Sequence, residues 1–182
     1  MSRPFLRILS WCSLCFSVFL SLASTVLAHT RPPNIIFIMA DDLGRGHCGC
    51  YGQTKIRTPN IDRIAAEGAR FDRCYVTNSL CGPSRACILT GKYSHKNGVY
   101  TLRDPLKPGT VHLATLLQRA GYQTAIIGKW HLHTDPTGFD YWNILPGQGR
   151  YHDPILRRKG EKKGKVHKGY STDVIAGLTI DW

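Results

Sequence analysis

Acidic side chains are scarce in this sequence. Its 182 residues hold 12 Asp and Glu against 24 Lys and Arg, a formal net charge of +12. That balance favours polyanionic partners: nucleic acid, anionic lipid or a sulfated glycan. No nucleic-acid-binding motif accompanies the charge, so charge alone does not choose among them. No internal repeat is present. No lipid-attachment pattern surrounds Cys12 or Cys15. The apolar stretch from Ile8 to Leu22 is short and diluted by serines, which argues against a membrane anchor. Cys48-Gly49-Cys50 beside His47 has no second pair of ligands, which argues against a zinc site. What remains is ordinary globular composition. Hydrophobic residues make up 42%, enough for one core, and the length fits one domain.

The first 28 residues have the layout of a secretory signal peptide. Arg3 and Arg7 give a basic start, the apolar stretch follows, and Val26-Leu27-Ala28 offers a small-residue cleavage site. The mature chain, 29–182, is then expected to be exported to the periplasm or beyond the cell, with no stable membrane anchor. Five of the seven cysteines survive cleavage: Cys48, Cys50, Cys74, Cys81 and Cys87. Export permits disulfides, but an odd number leaves one thiol over.

Three segments place chemistry-bearing residues at the ends of regular elements. Residues 34–40 (Asn-Ile-Ile-Phe-Ile-Met-Ala) form a continuous apolar run, which predicts a strand buried on both faces as in a parallel sheet. The run ends in Asp41-Asp42. Two adjacent carboxylates there repel each other, and a hard cation with oxygen ligands, Ca²⁺ or Mg²⁺, would relieve this. Next, Cys81-Gly82-Pro83-Ser84-Arg85 predicts a turn opening a short helix that Gly91 ends. Cys81 then sits at a helix N-terminus, where free N–H groups and the dipole lower a thiol's pKa and attract anions. Finally, residues 122–128 predict another buried strand, ending in Lys129-Trp130-His131. A parallel sheet would bring that cluster to the same edge as Asp41 and Asp42.

The intervening chain supplies scaffold. Thr58 caps and Pro59 opens a helix that Gly68 stops. Residues 69–76 predict a strand packed through Phe71 and Tyr75. Thr110 caps a helix over 111–120 with a Leu113, Leu116, Leu117, Ala120 stripe. Residues 136–154 predict a loop. The basic run 157–168 predicts a solvated, mobile segment. Ser171 opens an amphipathic helix with Val174, Ile175 and Leu178 inward.

These motifs resemble those of the formylglycine-dependent sulfatases over nearly the whole mature chain. Gly138-Phe139-Asp140-Tyr141-Trp142 and Leu145-Pro146-Gly147-Gln148-Gly149 are most similar to the arylsulfatase and N-acetylglucosamine-6-sulfatase members. Cys81-Gly82-Pro83-Ser84-Arg85 followed by Ala86, Thr90 and Gly91 is similar to the family's modification motif. Asp41-Asp42-Leu43-Gly44 is similar to its first metal-binding segment, and Gly128-Lys129-Trp130-His131-Leu132 to its second signature. The family usually continues that signature with Gly, where this chain has His133. The resemblance implies an α/β fold with a mostly parallel sheet flanked by helices, the alkaline-phosphatase-like sulfatase fold, incomplete at the C-terminus. It implies that Cys81 is oxidised to formylglycine by a formylglycine-generating enzyme. The hydrated aldehyde would attack sulfur, release the alcohol, and then expel sulfate as its carbon–oxygen double bond re-forms. By the same resemblance Asp41, Asp42 and the modified Cys81 would ligate Ca²⁺, with Mg²⁺ the lesser choice. Arg85 would steady the nucleophile, Lys129 would bind substrate sulfate, and His131 would assist deprotonation. The substrate would be a sulfated carbohydrate such as a glycosaminoglycan, and not a nucleic acid.

The family's downstream Asp-Asn pair, His and Lys are not recognisable after Lys168. The expectation is therefore the N-terminal part of a sulfatase catalytic domain, with weak metal binding and no useful turnover alone. Two alternatives stand beside it. One is a non-catalytic product binding polyanions through 157–168. The other is a related phosphate or phosphonate hydrolase.

Overall fold

The computed structural model describes residues 32–182, so the expected signal segment 1–28 lies outside the described residues. The chain divides into two units between Ala40 and Asp41. In the described part of the first, the expected strand over 34–40 does not form. No ladder is assigned there, and Ile36 and Ile38 are each 79% exposed. A buried strand depends on hydrogen-bonded neighbours and covering layers, which an apolar run cannot supply by itself.

The second unit is α/β. After 3₁₀ turns at Arg45–His47 and Gly49–Tyr51 come α1 (Pro59–Glu67), α2 (Cys81–Thr90), α3 (Ser94–Asn97) and α4 (Leu113–Arg119). Then follow β1 (Ala125–Lys129), β2 (Tyr141–Leu145), β3 (Ile155–Arg158), β4 (Lys165–Val166) and α5 (Ser171–Asp181). The strands lie in the order β1-β2-β3-β4. β1 and β2 are parallel, with Ala125 opposite Tyr141 and Lys129 opposite Leu145, and the other two pairings are antiparallel. The sheet of the described residues is thus mixed. The core gathers Ala86, Val99, Leu106, Ala114, Trp130, Leu132, Phe139, Trp142 and Ile144.

Several expectations are corrected. Residues 69–76 form no strand, and Phe71 and Tyr75 are exposed rather than packed. Local bonds hold this segment instead: the Tyr51 hydroxyl donates to the Phe71 carbonyl at 2.9 Å, and Arg70 donates to the Cys50 carbonyl at 2.7 Å. Thr58 stands at the N-cap of α1 as expected, but its side chain makes no capping hydrogen bond. Its hydroxyl accepts from the Gly49 amide (2.8 Å) and donates to Asp62 (3.0 Å), tying α1 to the second 3₁₀ turn. Helix α4 starts three residues after Thr110, whose hydroxyl bonds the Lys107 carbonyl, and Leu113 and Leu116 are exposed.

Two segments expected as loops contain strands. The 136–154 stretch contains β2, where Trp142, Asn143, Ile144 and Leu145 are buried. The basic run 157–168 belongs to a hairpin. There Leu156 is buried, Arg157 lies 4.9 Å over the Trp142 ring, and Arg157 pairs with Asp135. Alkyl stems of basic residues pack on apolar surface while their heads find partners, so charge density alone misjudged the segment. Helix α5 forms as expected, with Val174, Ile175 and Leu178 half-buried and Trp182 exposed.

Candidate active site

Helix α2 sets the first side chains. Pro83 lies in its first turn and Gly91 ends it in the left-handed region at φ 63°. Cys81 is the first helical residue and is half-buried, with its thiol free. One turn on, Arg85 is buried beside Ala86, which anchors α2 in the core. The Arg85 guanidinium donates to the Lys129 carbonyl and, at 3.0 Å, to Asp41 Oδ1. β1 delivers Lys129, whose ammonium donates to Asp41 Oδ2 at 2.6 Å and to Gln148 Oε1 at 2.5 Å. Residues 41, 85 and 129, far apart in sequence, thus form one ion cluster.

His131 is fixed between two core anchors, Trp130 and Leu132, and its backbone turns through φ 53°. Its carbonyl lies so near Gly82 that a Cβ there would approach it to 3.2 Å. Glycine beside Cys81 therefore lets the start of α2 come close to the His131 segment. Gly128 does similar work one residue before Lys129: it has φ 104°, and a Cβ would touch Ile175 of α5 at 3.4 Å. Asp42 is exposed with φ 59°, and no hydrogen bond or ion pair of its side chain occurs among the described residues. His133 is exposed, with Nε2 2.5 Å from the Leu102 carbonyl oxygen.

The electrostatics follow from this packing. Partial burial would raise the Asp41 carboxyl, but the hydrogen bonds and charges of Lys129 and Arg85 outweigh it and hold it below the ordinary value. His131 is held below the ordinary imidazole value, first by burial and then by the positive charges of Lys129, His133 and Arg85. It is therefore predominantly neutral at neutral pH and able to accept a proton. Arg85 Nε and His131 Nδ1 are buried without a hydrogen-bond partner among the described residues.

Sequence reasoning assigned Gln148 no role in the site. The signal was a polar residue between Gly147 (φ 66°) and Gly149 (φ 81°), a turn that presents one side chain.

Ca²⁺ takes about six to eight oxygens. Asp41 and Asp42 offer two carboxylates, and Asp41 already serves two cations. No group of three or more His, Cys, Asp or Glu suited to a metal occurs among the described residues. These residues alone do not complete a Ca²⁺ site.

The family model described as Sulfatase matches residues 33–182. The N-acetylglucosamine-6-O-sulfatase of Bacteroides thetaiotaomicron is 52% identical over 165 residues, covering 89% of this chain and 29% of that protein. Human arylsulfatase A is 47% identical over 142 residues, covering 75% of this chain and 27% of its own. A solved structure described as a complex with its substrate D-glucosamine-2-N,6-O-disulfate superposes with a TM-score of 0.80 at 52% identity, covering 83% of this chain and 31% of that one. The chain belongs to the sulfatase family and has the α/β sulfatase fold. It spans under a third of the length of these relatives.

Proposed function

We propose that the chain carries the nucleophile half of a sulfatase site, acting on sulfated glycans by hydrolysis of a sulfuric ester. One observation carries this reading: Cys81 opens the helix whose Arg85 is tied through Asp41 to Lys129. Three separate motif segments thereby meet at the helix that Cys81 opens. When Cys81 is oxidised to formylglycine, its hydrate supplies an attacking oxygen and a second hydroxyl for sulfate release. Arg85, locked by Asp41 and the Lys129 carbonyl, keeps a positive charge one helical turn from that oxygen. Lys129 neutralises a sulfate oxygen as charge builds on the leaving group. Neutral His131 accepts a proton from the attacking hydroxyl. Asp41, Asp42 and the modified Cys81 would hold a Ca²⁺ together with further oxygen ligands, and the cation would polarise the sulfate.

The relative's name makes 6-O-sulfated N-acetylglucosamine the first substrate to test. We place residues 1–28 as a signal peptide and the mature protein outside the cytoplasm. Among the described residues no helix is long and apolar enough to cross a membrane.

The test has two arms. Co-expression with a formylglycine-generating enzyme, then mass spectrometry of the tryptic peptide Cys74–Arg85, should show an aldehyde at position 81 that hydrazide reagents capture. An unmodified thiol in every such preparation refutes the nucleophile assignment. Aryl sulfate hydrolysis by the 182-residue chain should not exceed a Cys81→Ala control. Turnover well above that control overturns the view that the chain needs further ligands. An aryl phosphate assayed in parallel separates the phosphohydrolase alternative.

A further inference from the structure

The sequence draws attention to its basic run, 157–168, where carboxylates answer three of the seven lysines and arginines. Arg157 pairs with Asp135, Lys165 with Glu161 at 2.9 Å, and Lys168 with Asp153 at 2.8 Å. A second group of cations, gathered in a cleft, has no carboxylate partner among the described residues. Lys92, His95, Lys96 and Lys107 line a cleft of about 470 Å³ beyond the C-terminal end of α2. Among the described residues none of these four forms an ion pair.

The cleft is held from beneath. Asn97, also in its lining, is buried. Its amide donates to the Lys92 carbonyl at 2.9 Å and to Cys87 Sγ at 3.5 Å, while its oxygen accepts from the Val99 amide at 2.9 Å. Thr110 fixes the opposite wall through the Lys107 carbonyl at 2.7 Å. The lysines therefore stand on ordered backbone, which lowers the entropy lost when they close on an anion.

We propose that this cleft is a second, non-catalytic binding site for a sulfated polysaccharide chain. Beside Gly98 and Val111, its lining offers ammonium, imidazole, amide and hydroxyl, donors that sulfate oxygens and sugar hydroxyls accept from. Its lining holds a single ring, His95, which Tyr93 stacks on at 5.9 Å, whereas sites for single-stranded nucleic acid offer a ring to each of several successive bases. Helix α2 separates the cleft from Cys81 by ten residues, about 15 Å at 1.5 Å per residue. A chain anchored here raises the effective concentration of its own sulfate esters near position 81. The choice of a sulfated ligand rests on the sulfatase reading, whereas the cleft and its open cations do not.

The test is binding, not turnover. A fluorescent, fully sulfated heparin octasaccharide is titrated into the whole chain, into a Lys92→Gln/Lys96→Gln/Lys107→Gln variant, and into a Lys162→Gln/Lys163→Gln/Lys165→Gln control with equal charge loss. The cleft variant should bind roughly tenfold more weakly and with a shallower salt dependence, while the control stays within about twofold. Desulfated heparin should not compete, and binding should persist in Cys81→Ala. Equal weakening in both triple variants, or no octasaccharide binding at all, overturns the proposal. So does a single-stranded oligonucleotide that competes equally and loses affinity with the same three lysines. If position 81 proves unmodifiable yet the cleft variant alone loses binding, the catalytic reading fails and this site stands.

Discussion

At the scale of the residue, the site depends on one buried guanidinium. Arg85 joins Asp41 to the Lys129 carbonyl from a position closed to water, so truncating it strands an acceptor and unbalances the cluster. Arg85→Ala should destabilise the chain by about 1–3 kcal/mol in urea unfolding. Lysine should not rescue it, because a point charge cannot make both bonds. A double-mutant cycle with Asp41→Ala should return a coupling of at least about 0.5 kcal/mol; additive losses would show that the pair contributes nothing. His112 supplies a pH test away from the site. It is buried, stacks on Phe139 at 5.5 Å, bonds the Thr137 carbonyl through Nε2 at 2.8 Å and has no partner for Nδ1 among the described residues. Burial pushes its pKa below the ordinary 6.5 despite that bond. The unfolded chain therefore binds the proton first, and stability falls as pH drops below 6.5 toward the folded value. The slope is at most about 1.4 kcal/mol per pH unit for this one group. His112→Gln should flatten the fall in Tm between neutral and mildly acidic pH; an unchanged slope would place the titration elsewhere.

At the scale of the element, legibility tracked locality. The start and end of α2, the stop at Gly68 and the opening of α5 were readable because each rests on capping or turn chemistry. The apolar run 122–128 gave the strand, though it forms over Ala125–Lys129 and is mostly half-buried. Partnership was not readable. Residues 34–40 and 69–76 have strand-like composition but no ladder, while β2 and the β3–β4 hairpin were hidden in stretches that looked like loops. Tyr141-Trp142 and Ile144-Leu145 carried the β-forming signal for β2, masked by the surrounding Gly and Pro. The glycines themselves give a sharp test of the turn feeding β2. Gly138 has φ 72°, and a Cβ there would sit 2.5 Å from Thr115 Oγ1 and 3.2 Å from the His112 ring. Gly147 has a similar φ of 66° but open space around it. Gly147→Ala should cost about 1 kcal/mol for the left-handed backbone alone, and Gly138→Ala clearly more, about 2–3 kcal/mol, because the α4 contact must also give way. Equal costs would mean that α4 yields freely.

At the scale of the whole molecule, apolar faces were legible but their covering was not. Ile61 and Ile64 on α1, and Leu113 and Leu116 on α4, recur at the i, i+3 spacing of a core-facing stripe, yet all four are exposed. The sequence therefore specifies faces for packing that the described residues do not supply, in a chain spanning 29% of its bacterial relative. This makes a prediction opposite to that for an ordinary core. Replacing a buried Leu or Ile costs about 2–5 kcal/mol. Replacing all four of these by Gln should leave the Tm of the 182-residue chain within a few degrees of its starting value, because surface changes sit near ±0.5 kcal/mol each. The same substitutions should cut the fluorescence of a bound hydrophobic dye and reduce self-association in sedimentation, since exposed apolar stripes drive both. A large fall in Tm would show that these faces already pack in the isolated chain. An unchanged dye signal would move the exposed surface elsewhere, with Ile35, Ile36, Phe37 and Ile38 next to be replaced.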